Sequence, residues 1–391
     1  MRTQVGIVGA GPAGLLLAHL LHQQGIESIV IENRSRSHIE ERVRAGVLEQ
    51  GTVDVLDAAG VGERLRREGL IHHGLELSFE GRRHRLNLHE LTGGRAITVY
   101  GQQEVVKDLI TARLDAGLPL YFEVAETSLH ELERETPKIR FRRAGALHEI
   151  QCDYVAGCDG SHGICRPSVP AGVLQCFERV YPFGWLGILA ASKPPASELI
   201  YCHHERGFAL FSMRTPEITR LYIQCDPAED LAHWPDERIW EELALRLDAS
   251  DLILQEGPLL QKGITPMRSF VTEPMQYGRL FLAGDAAHLV PPTGAKGMNL
   301  AIADVRVLAR ALTAYYQTGT TQLLAQYSQT CLRRVWRAEH FSWWMTSLLH
   351  RFPETTPFQQ KLQLAELAYV AQSRVAAAML AENYVGLPFD E

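Results

Sequence analysis

No run of about 20 consecutive apolar residues occurs in the 391-residue chain, so no membrane-spanning helix is expected. The N-terminus runs straight into a strand pattern without the apolar segment of a signal peptide, and this points to the cytoplasm. Cysteine is scarce. The seven residues (Cys152, Cys158, Cys165, Cys176, Cys202, Cys225 and Cys331) form an odd set with no Cys-x-x-Cys pair, which argues against a disulfide framework and a structural zinc site. They read as reduced thiols, and no metal site is expected. No basic run follows a helix face and the formal net charge is −7, so neither nucleic acid nor an anionic membrane is an expected partner. Repeats and low-complexity tracts are absent too. What is present is length and a 46% apolar content, enough for a large core and for two intimately joined domains acting on small molecules.

The first 32 residues are the most informative. The apolar run Val5–Val8 enters Gly9-Ala10-Gly11-Pro12-Ala13-Gly14. A helix-period segment with Leu15, Leu16, Ala18, His19, Leu20 and Leu21 follows to Gly25, and a second apolar run, 29–31, ends at Glu32. Each glycine has a physical reason: Gly9 permits the tight turn, Gly11 lets the backbone approach a pyrophosphate, and Gly14 lets the helix pack closely on the strand. The phosphates then rest on the helix N-terminus. Glu32, 18 residues beyond Gly14, falls where a carboxylate accepts hydrogen bonds from ribose hydroxyls. Strand, helix, strand and acid arrive together and predict a dinucleotide site. Gly60-Val61-Gly62 lacks the third glycine and the preceding strand, so it is not a second one.

Beyond Glu32, a polar stretch over 33–41 carries Arg34, Arg36 and His38, and Arg42 and Arg44 follow. Beside a pyrophosphate site these are either ligands or a solvated loop. Segments 48–59 and 62–68 look helical, and 74–99 alternates as half-buried antiparallel strands do. A helix is expected over 102–116, with strands near 120–124 and 138–141. The strand 152–156 leads into Gly157-Cys158-Asp159-Gly160, either a plain turn or an acid aimed into the cofactor cleft. Residues 177–263 predict a mostly antiparallel sheet with a helical insert at 237–247. On it Ser212 and Arg214, two apart, share one face, and Tyr222 joins them from a neighbouring strand. An arginine fork with two hydroxyls is a carboxylate clamp, the bland alternative being an exposed strand arginine. Tyr201 by itself reads as an ordinary strand tyrosine.

Nucleotide chemistry then returns. The buried strand 280–283 leads to Gly284-Asp285-Ala286-Ala287-His288, and the loop from Pro291 to Gly297 opens a helix at about Met298, whose N-terminus is an electropositive end. Further helices are expected over 321–350 and 359–381, where Trp336, Trp343 and Trp344 form either a core stripe or a dimer surface.

Three separated motifs therefore coincide: the 9–14 glycines with Glu32, Asp159-Gly160 after a strand, and Gly284-Asp285 before a proline–glycine loop. Together they resemble the class A flavoprotein aromatic hydroxylases, and matching stretches at 44–51, 178–187, 291–297 and 382–388 extend the resemblance over essentially the whole chain. The resemblance implies an α/β (α+β) fold. A Rossmann-like FAD-binding domain with a parallel sheet and a β-meander (1–175, returning at 266–350) would be interleaved with a mostly antiparallel substrate-binding sheet (176–265). A helical segment, 351–391, would contribute to the active site and to a homodimer interface.

For FAD it implies Gly9, Gly11, Pro12, Ala13, Gly14 and Glu32, then Arg42, Arg44, Val47 and Gln102 along the pyrophosphate and ribityl region. Asp159 would reach the cleft, Asp285 the ribityl chain, and Lys296, Gly297, Met298 and Asn299 would support the flavin loop. Ser212, Arg214 and Tyr222 would hold a substrate carboxylate, Tyr201 and the backbone carbonyl of Pro292 its phenol, and Tyr384 and His72 would carry the phenol proton to solvent. With one fingerprint occupied by FAD, NADPH (or NADH) would dock on a groove through Arg34, Arg36, His38, Arg42, His162, Arg166 and Arg268. Arg34 and Arg36 favour NADPH, because a 2′-phosphate suits guanidinium forks. Arg220 would hold a moving flavin inside.

The implied reaction is hydroxylation of 4-hydroxybenzoate at position 3, with O2 and NAD(P)H, to 3,4-dihydroxybenzoate. Ring attack needs the electron density of a phenolate, and free phenols titrate near ~10, as tyrosine does. Hydrogen bonds favouring the anion are therefore expected from Tyr201 and Tyr384, relaying to a His72 of near-neutral pKa. A sister hydroxylase acting on 3,4-dihydroxybenzoate, 3-hydroxybenzoate or 4-aminobenzoate would keep the same clamp. A flavin reductase or a non-enzymatic flavin redox sensor would need neither clamp nor tyrosine pair.

Overall fold

The computed structural model describes residues 1–44, 46–248 and 251–389. Ala45, in the matching stretch 44–51, and the last two residues of the segment 351–391 lie outside it. Val5–Val8 has no polar side chain and is buried throughout, as suits the middle of a parallel sheet. It pairs in parallel with Ser28–Ile31 on one side and Tyr154–Gly157 on the other. Leu120–Tyr121 and Leu280–Leu282 extend the sheet outward in parallel, and Gln276–Tyr277 closes one edge antiparallel. The order of strands reverses between Val5–Val8 and Tyr154–Gly157, so their carboxyl ends flank the crevice where ligands bind in such sheets. Pro12–Gln23 packs against Gln102–Asp115 and Gly297–Thr318. The meander Ala125–His130, Lys138–Arg143 and Ala146–Gln151 also packs on the sheet, bringing Ile139 against Gly6.

The second large sheet has eight strands, in the order His288–Leu289, Leu259–Glu273, Gln175–Ala190, Ile218–Cys225, Ala209–Thr215, Leu199–Cys202, Leu75–Phe79, Arg82–Leu86. Its strands are antiparallel apart from the Leu199–Cys202 and Leu75–Phe79 pair. Alternation sorts its residues cleanly. Ile200, Phe211, Leu221 and Ile223 pack under Trp234, Ile239, Trp240 and Leu243 of the helix Asp236–Leu247 and the turn before it. Tyr201, Phe208, Leu210 and Trp185 point the other way, into a cluster with Tyr384 and the C-terminal helices. Leu259–Glu273 pairs with Gln175–Ala190 over most of its length and runs straight through the boundary expected at 265/266.

Several local expectations are corrected. The polar stretch 33–41 contains a helix, Arg36–Glu41, whose N-cap Ser35 accepts from the His38 amide. Val47–Leu48 is a short strand against Ile97–Val99, so the next helix starts at Gln50 rather than at 48. Leu88 opens a short helix capped by Asn87 and does not continue the strand pattern. The helix expected over 359–381 is two, Pro357–Gln372 and Arg374–Val385, divided at Ser373, whose side chain caps the second. Trp336 and Trp343 are 41% and 38% exposed, not core. The buried stripe of Gln322–Leu349 passes through Cys331, Val335, Ala338, Ser342 and Met345, a 3–4 spacing that leaves both tryptophans outside it. Trp336 instead stacks edge-on against Phe177 and donates to Glu273.

Candidate active site

The turn after Val5–Val8 is forced by its neighbours. Gly9 has φ +107, and a Cβ there would stand 2.3 Å from the Cys158 carbonyl oxygen; one on Gly14 would stand 2.0 Å from the Gly9 oxygen. A Cβ on Gly11, by contrast, would meet nothing within 4 Å, so the space above it is open to a ligand. Glu32, buried at the end of its strand, accepts from the amides of Ala10 and Arg34, both at 2.8 Å. Gly284 sits between two helices, its Cβ position 3.7 Å from Ala13 and 3.0 Å from Ala301. The helices Pro12–Gln23 and Gly297–Thr318 have no side-chain cap and no acid in the first turn. Two electropositive helix ends and an open glycine turn beside Asp285 fit the pyrophosphate of a dinucleotide.

Behind this turn lies a pair the sequence reading did not single out. The Gly284 amide donates to Asp304 at 2.9 Å, and His288 lies 2.7 Å from the same carboxylate oxygen, both side chains being buried. Burial opposes a charged His288, but Asp304 outweighs it and holds the imidazole above its ordinary value. Asp159 accepts from the Cys165 amide at 2.9 Å while its other oxygen is buried without a partner, and burial raises its carboxyl. Arg166 spans the two turns, donating to the carbonyls of Ala286 and Ser161 at 2.9 and 2.8 Å.

The loop before the second helix is a 3-10 turn, Pro292–Gly294, followed by Ala295 at φ +54. The Pro292 carbonyl accepts from the Ala295 amide at 3.0 Å, while the Thr293 carbonyl accepts from Tyr201 at 3.2 Å. Lys296 is buried. Its ammonium contacts Glu49 at 2.5 Å, donates to the carbonyl of Asn383 and lies 3.2 Å from that of Tyr384. Asn299 ties the same loop to Val47 and Ala295, at 3.0 and 2.7 Å, and receives the Glu49 amide. Met298 and Gly297 form the first turn above it, and Gln102 opens the helix Gln102–Asp115. The loop and the C-terminal helix that carries Tyr384 are thus bolted together.

The substrate-side residues fall on one face of the large sheet. Tyr201 pairs with Leu210, Leu210 with Tyr222, Tyr222 with Gly187, and Ser212 lies opposite Arg220. With no side chain at Gly187, the Arg220 guanidinium lies across it, 2.8 Å from where a Cβ would be and 5.0 Å from the Tyr222 ring. Arg214 donates to the carbonyls of Met213 and Arg44 at 3.1 and 3.2 Å. Its Nε, and Nε and Nη1 of Arg220, are buried without a partner. Burial raises the Tyr222 phenol, yet Arg220 and Arg214 outweigh it and hold it below its ordinary value. Tyr201 and Tyr384 meet hydroxyl to hydroxyl at 2.5 Å, and burial raises both phenols. Trp185 braces the row from the same face: its indole donates to His350 Nε2 at 2.7 Å, and its ring packs on Tyr222.

His72 differs from its expectation. It is 1% exposed, neither ring nitrogen has a partner, and burial lowers it to about 4 rather than leaving it near neutrality. It makes no hydrogen bond to the tyrosine pair. The expected coenzyme groups lie mostly at the surface. Arg34, His38, Arg42 and His162 are exposed, Arg36 pairs with Glu40 at 2.7 Å, and Arg268 lies 3.3 Å from Glu178; Arg44, expected at the FAD pyrophosphate, is exposed too. Glu49, Thr293 and the His288–Asp304 pair were missed; only their place beside the glycine motifs hinted at them.

A family model described as an FAD binding domain matches residues 2–342. The chain is 51% identical over all its 391 residues to the p-hydroxybenzoate hydroxylase of Acinetobacter baylyi, covering 96% of that protein. It is 25% identical, over 83% of its length, to a probable NADH-specific resorcinol 4-hydroxylase of Rhodococcus jostii, of which it spans 61%. Among solved structures, p-nitrophenol 4-monooxygenase from Pseudomonas putida superposes with a TM-score of 0.85 at 18% identity, covering 99% of both chains. An aklavinone-11 hydroxylase in complex with FAD and aklavinone superposes at 0.75 with 22% identity, over 89% of this chain and 69% of that one. These superpositions show the shared fold.

Proposed function

The chain belongs to the class A flavoprotein aromatic hydroxylases, and from that premise we propose that it hydroxylates 4-hydroxybenzoate next to its phenol, giving 3,4-dihydroxybenzoate. Its cofactor is FAD and its co-substrate NAD(P)H. The chemistry that bound FAD supplies is acceptance of a hydride from NAD(P)H and activation of dioxygen for insertion of one oxygen atom. The observation that carries the choice of substrate is the pair Arg214 and Arg220, whose buried, unpartnered donors share a sheet face with the Tyr201–Tyr384 pair. A buried guanidinium nitrogen without an acceptor is costly, and a carboxylate relieves it. Ser212, Arg214 and Tyr222 take the carboxylate of the substrate, and Arg220 adds positive charge on the cofactor side and holds the cofactor in.

At the other end of the ring Tyr201 turns its one proton from the Thr293 carbonyl to the phenolate oxygen while accepting from Tyr384. Both tyrosines stay protonated at neutral pH, as donors to an anion must. The remaining lone pair of the Pro292 carbonyl accepts from the phenol before ionisation. For the proton to depart along the tyrosines the hydrogen bonds first reverse, Tyr201 accepting from the phenol and donating to Tyr384; His72, which makes no hydrogen bond to the pair and is a weak base at about 4, hands the proton on rather than storing it once it is brought within reach. At the cofactor end Gly9 to Gly14, Glu32, Arg42, Arg44, Gln102, Asp159 and Asp285 hold the dinucleotide. The N-terminus of the helix Gly297–Thr318, with the loop amides before it, would favour negative charge on the bound ring system. NADPH docks transiently over the exposed Arg34 and its neighbours, and the sheet segment 176–265 with the C-terminal segment forms the substrate-side body. A second copy covers Phe358, Leu362 and Tyr369, which are 71%, 54% and 60% exposed, and equilibrium sedimentation tests this dimer.

The decisive assay is coenzyme oxidation in air by the yellow protein, with and without 4-hydroxybenzoate, quantifying 3,4-dihydroxybenzoate and hydrogen peroxide. Product matching coenzyme consumed is expected. Stimulation that yields mainly peroxide would make 4-hydroxybenzoate an effector and shift the assignment to a sister aromatic acid.

A further inference from the structure

On the face of the large sheet turned away from Ser212, Arg214 and Tyr222, a cavity of about 340 Å3 opens beside the helix Asp236–Leu247. Arg206, Glu229, Trp234, Arg238, Glu242 and Arg246 line it. Its charge does not cancel: three guanidinium groups face two carboxylates. Glu242 is shared by Arg206 and Arg246, the latter at 3.2 Å, and Glu229 pairs with Arg238 at 3.0 Å. Arg246 spends Nη1 on the carbonyls of Phe208 and Gln224, at 3.1 and 3.0 Å.

Two donors in this lining have no partner. They are the indole Nε1 of Trp234, a residue 2% exposed, and Nε of Arg246, 5% exposed. A buried N–H left unpaired costs roughly 1–3 kcal/mol, and two beside one cavity of net positive charge call for an acceptor bearing negative charge. The ring that carries the first donor is held in place, because the Arg238 guanidinium lies 3.9 Å from its centroid. We propose that this cavity is a second binding site, separate from the substrate clamp, for a small oxyanion: a carboxylate or a phosphate. Its anionic oxygens accept from Trp234 Nε1 and Arg246 Nε, with Arg206 at the rim. The site also touches the strand that carries Tyr222, since Arg246 donates to the Gln224 carbonyl, and Phe208, gripped by the same guanidinium, stacks on Trp185 and His350.

The test uses holoenzyme labelled with 15N-tryptophan, the Trp234 indole resonance being assigned with Trp234→Phe. Titrations with succinate and, separately, with inorganic phosphate run at constant ionic strength against sodium chloride. A saturable shift of that one resonance is expected, with a half-point below ~10 mM. Saturation by succinate alone marks a carboxylate site, and by phosphate alone a phosphate site. Arg206→Ala, at a side chain 51% exposed and outside the core, is expected to raise the half-point roughly three-fold or more. The proposal is overturned if neither anion moves the resonance beyond the chloride control, or if Arg206→Ala leaves the half-point unchanged.

Discussion

At the nucleotide end the ligand-facing groups are backbone amides in turns fixed by Gly9, Gly14 and Gly284, and the carboxylates of Glu32 and Asp304 are already engaged by protein amides. At the substrate end the ligand-facing groups are side chains, and three guanidinium nitrogens of Arg214 and Arg220 have no protein partner. Apart from one buried oxygen of Asp159, the first region is complete in itself. On the proposed reading the second is completed by its ligand, the desolvation cost of the arginines being recovered when an anion arrives. One half is therefore built for a resident cofactor and the other for a substrate that comes and goes.

The sharpest way to break this contrast is Arg214→Ala. We expect kcat/KM for the aromatic acid to fall about 10³-fold, as truncation within a buried charge pair does, with FAD content unchanged. Loss of FAD in this variant would mean that the two ends are not separable. Next comes Tyr201→Phe, which keeps the ring and removes the hydroxyl between Tyr384 and Thr293. Turnover at saturating substrate should drop about 100-fold, with KM little altered. A large rise in KM with kcat unchanged would make Tyr201 a binding residue only.

Gly14→Ala attacks the backbone-built end. Its Cβ would stand 2.0 Å from the Gly9 oxygen, so strand and helix must separate, at a cost of roughly 1–3 kcal/mol. The purified protein should lack stoichiometric FAD and melt several degrees lower, which absorbance and calorimetry would report. Full flavin content would refute the turn as the pyrophosphate cradle.

The smallest effect separates the halves by pH. Burial holds His350, behind the substrate face, at about 3, so the unfolded chain binds this proton more readily. That half should lose roughly 2 kcal/mol per such histidine between pH 6.5 and 5. His288 carries the opposite sign. Its folded value is raised, so its contribution is complete below the ordinary histidine pKa and fades as pH climbs through the folded one. His350→Gln should flatten the acid limb of the unfolding midpoint and His288→Gln the alkaline limb; the same limb responding to both would contradict the assignment.

The same contrast governs how much could be read without coordinates. The opening turn was legible because glycine spacing encodes backbone geometry directly. The alternation in 177–263 revealed a sheet and put Ser212 with Arg214, but which strands neighbour each other depends on crossovers. The row Tyr201, Leu210, Tyr222, Gly187 was therefore hidden. Lys296 is expected to support the flavin loop, but its pairing with Glu49 could not be read, since that partner lies 247 residues away. The helix Arg36–Glu41 escaped because none of its residues is buried, which removes the apolar period. Of the two readings of the tryptophans of Gln322–Leu349, the core stripe fails for Trp336 and Trp343, because phase on the helix and not residue type decides their exposure.

The central claim is that the substrate face clamps a carboxylate with Arg214 and ionises the phenol beside Tyr201. Its most direct test is the ultraviolet absorbance of bound 4-hydroxybenzoate as a function of pH, in the wild type and in Tyr201→Phe. The account predicts that the bound phenol of the wild type titrates well below ~10, the range of an ordinary phenol, and that Tyr201→Phe restores that range. A bound phenol that titrates as it does free in solution, or equally low in both proteins, would contradict it.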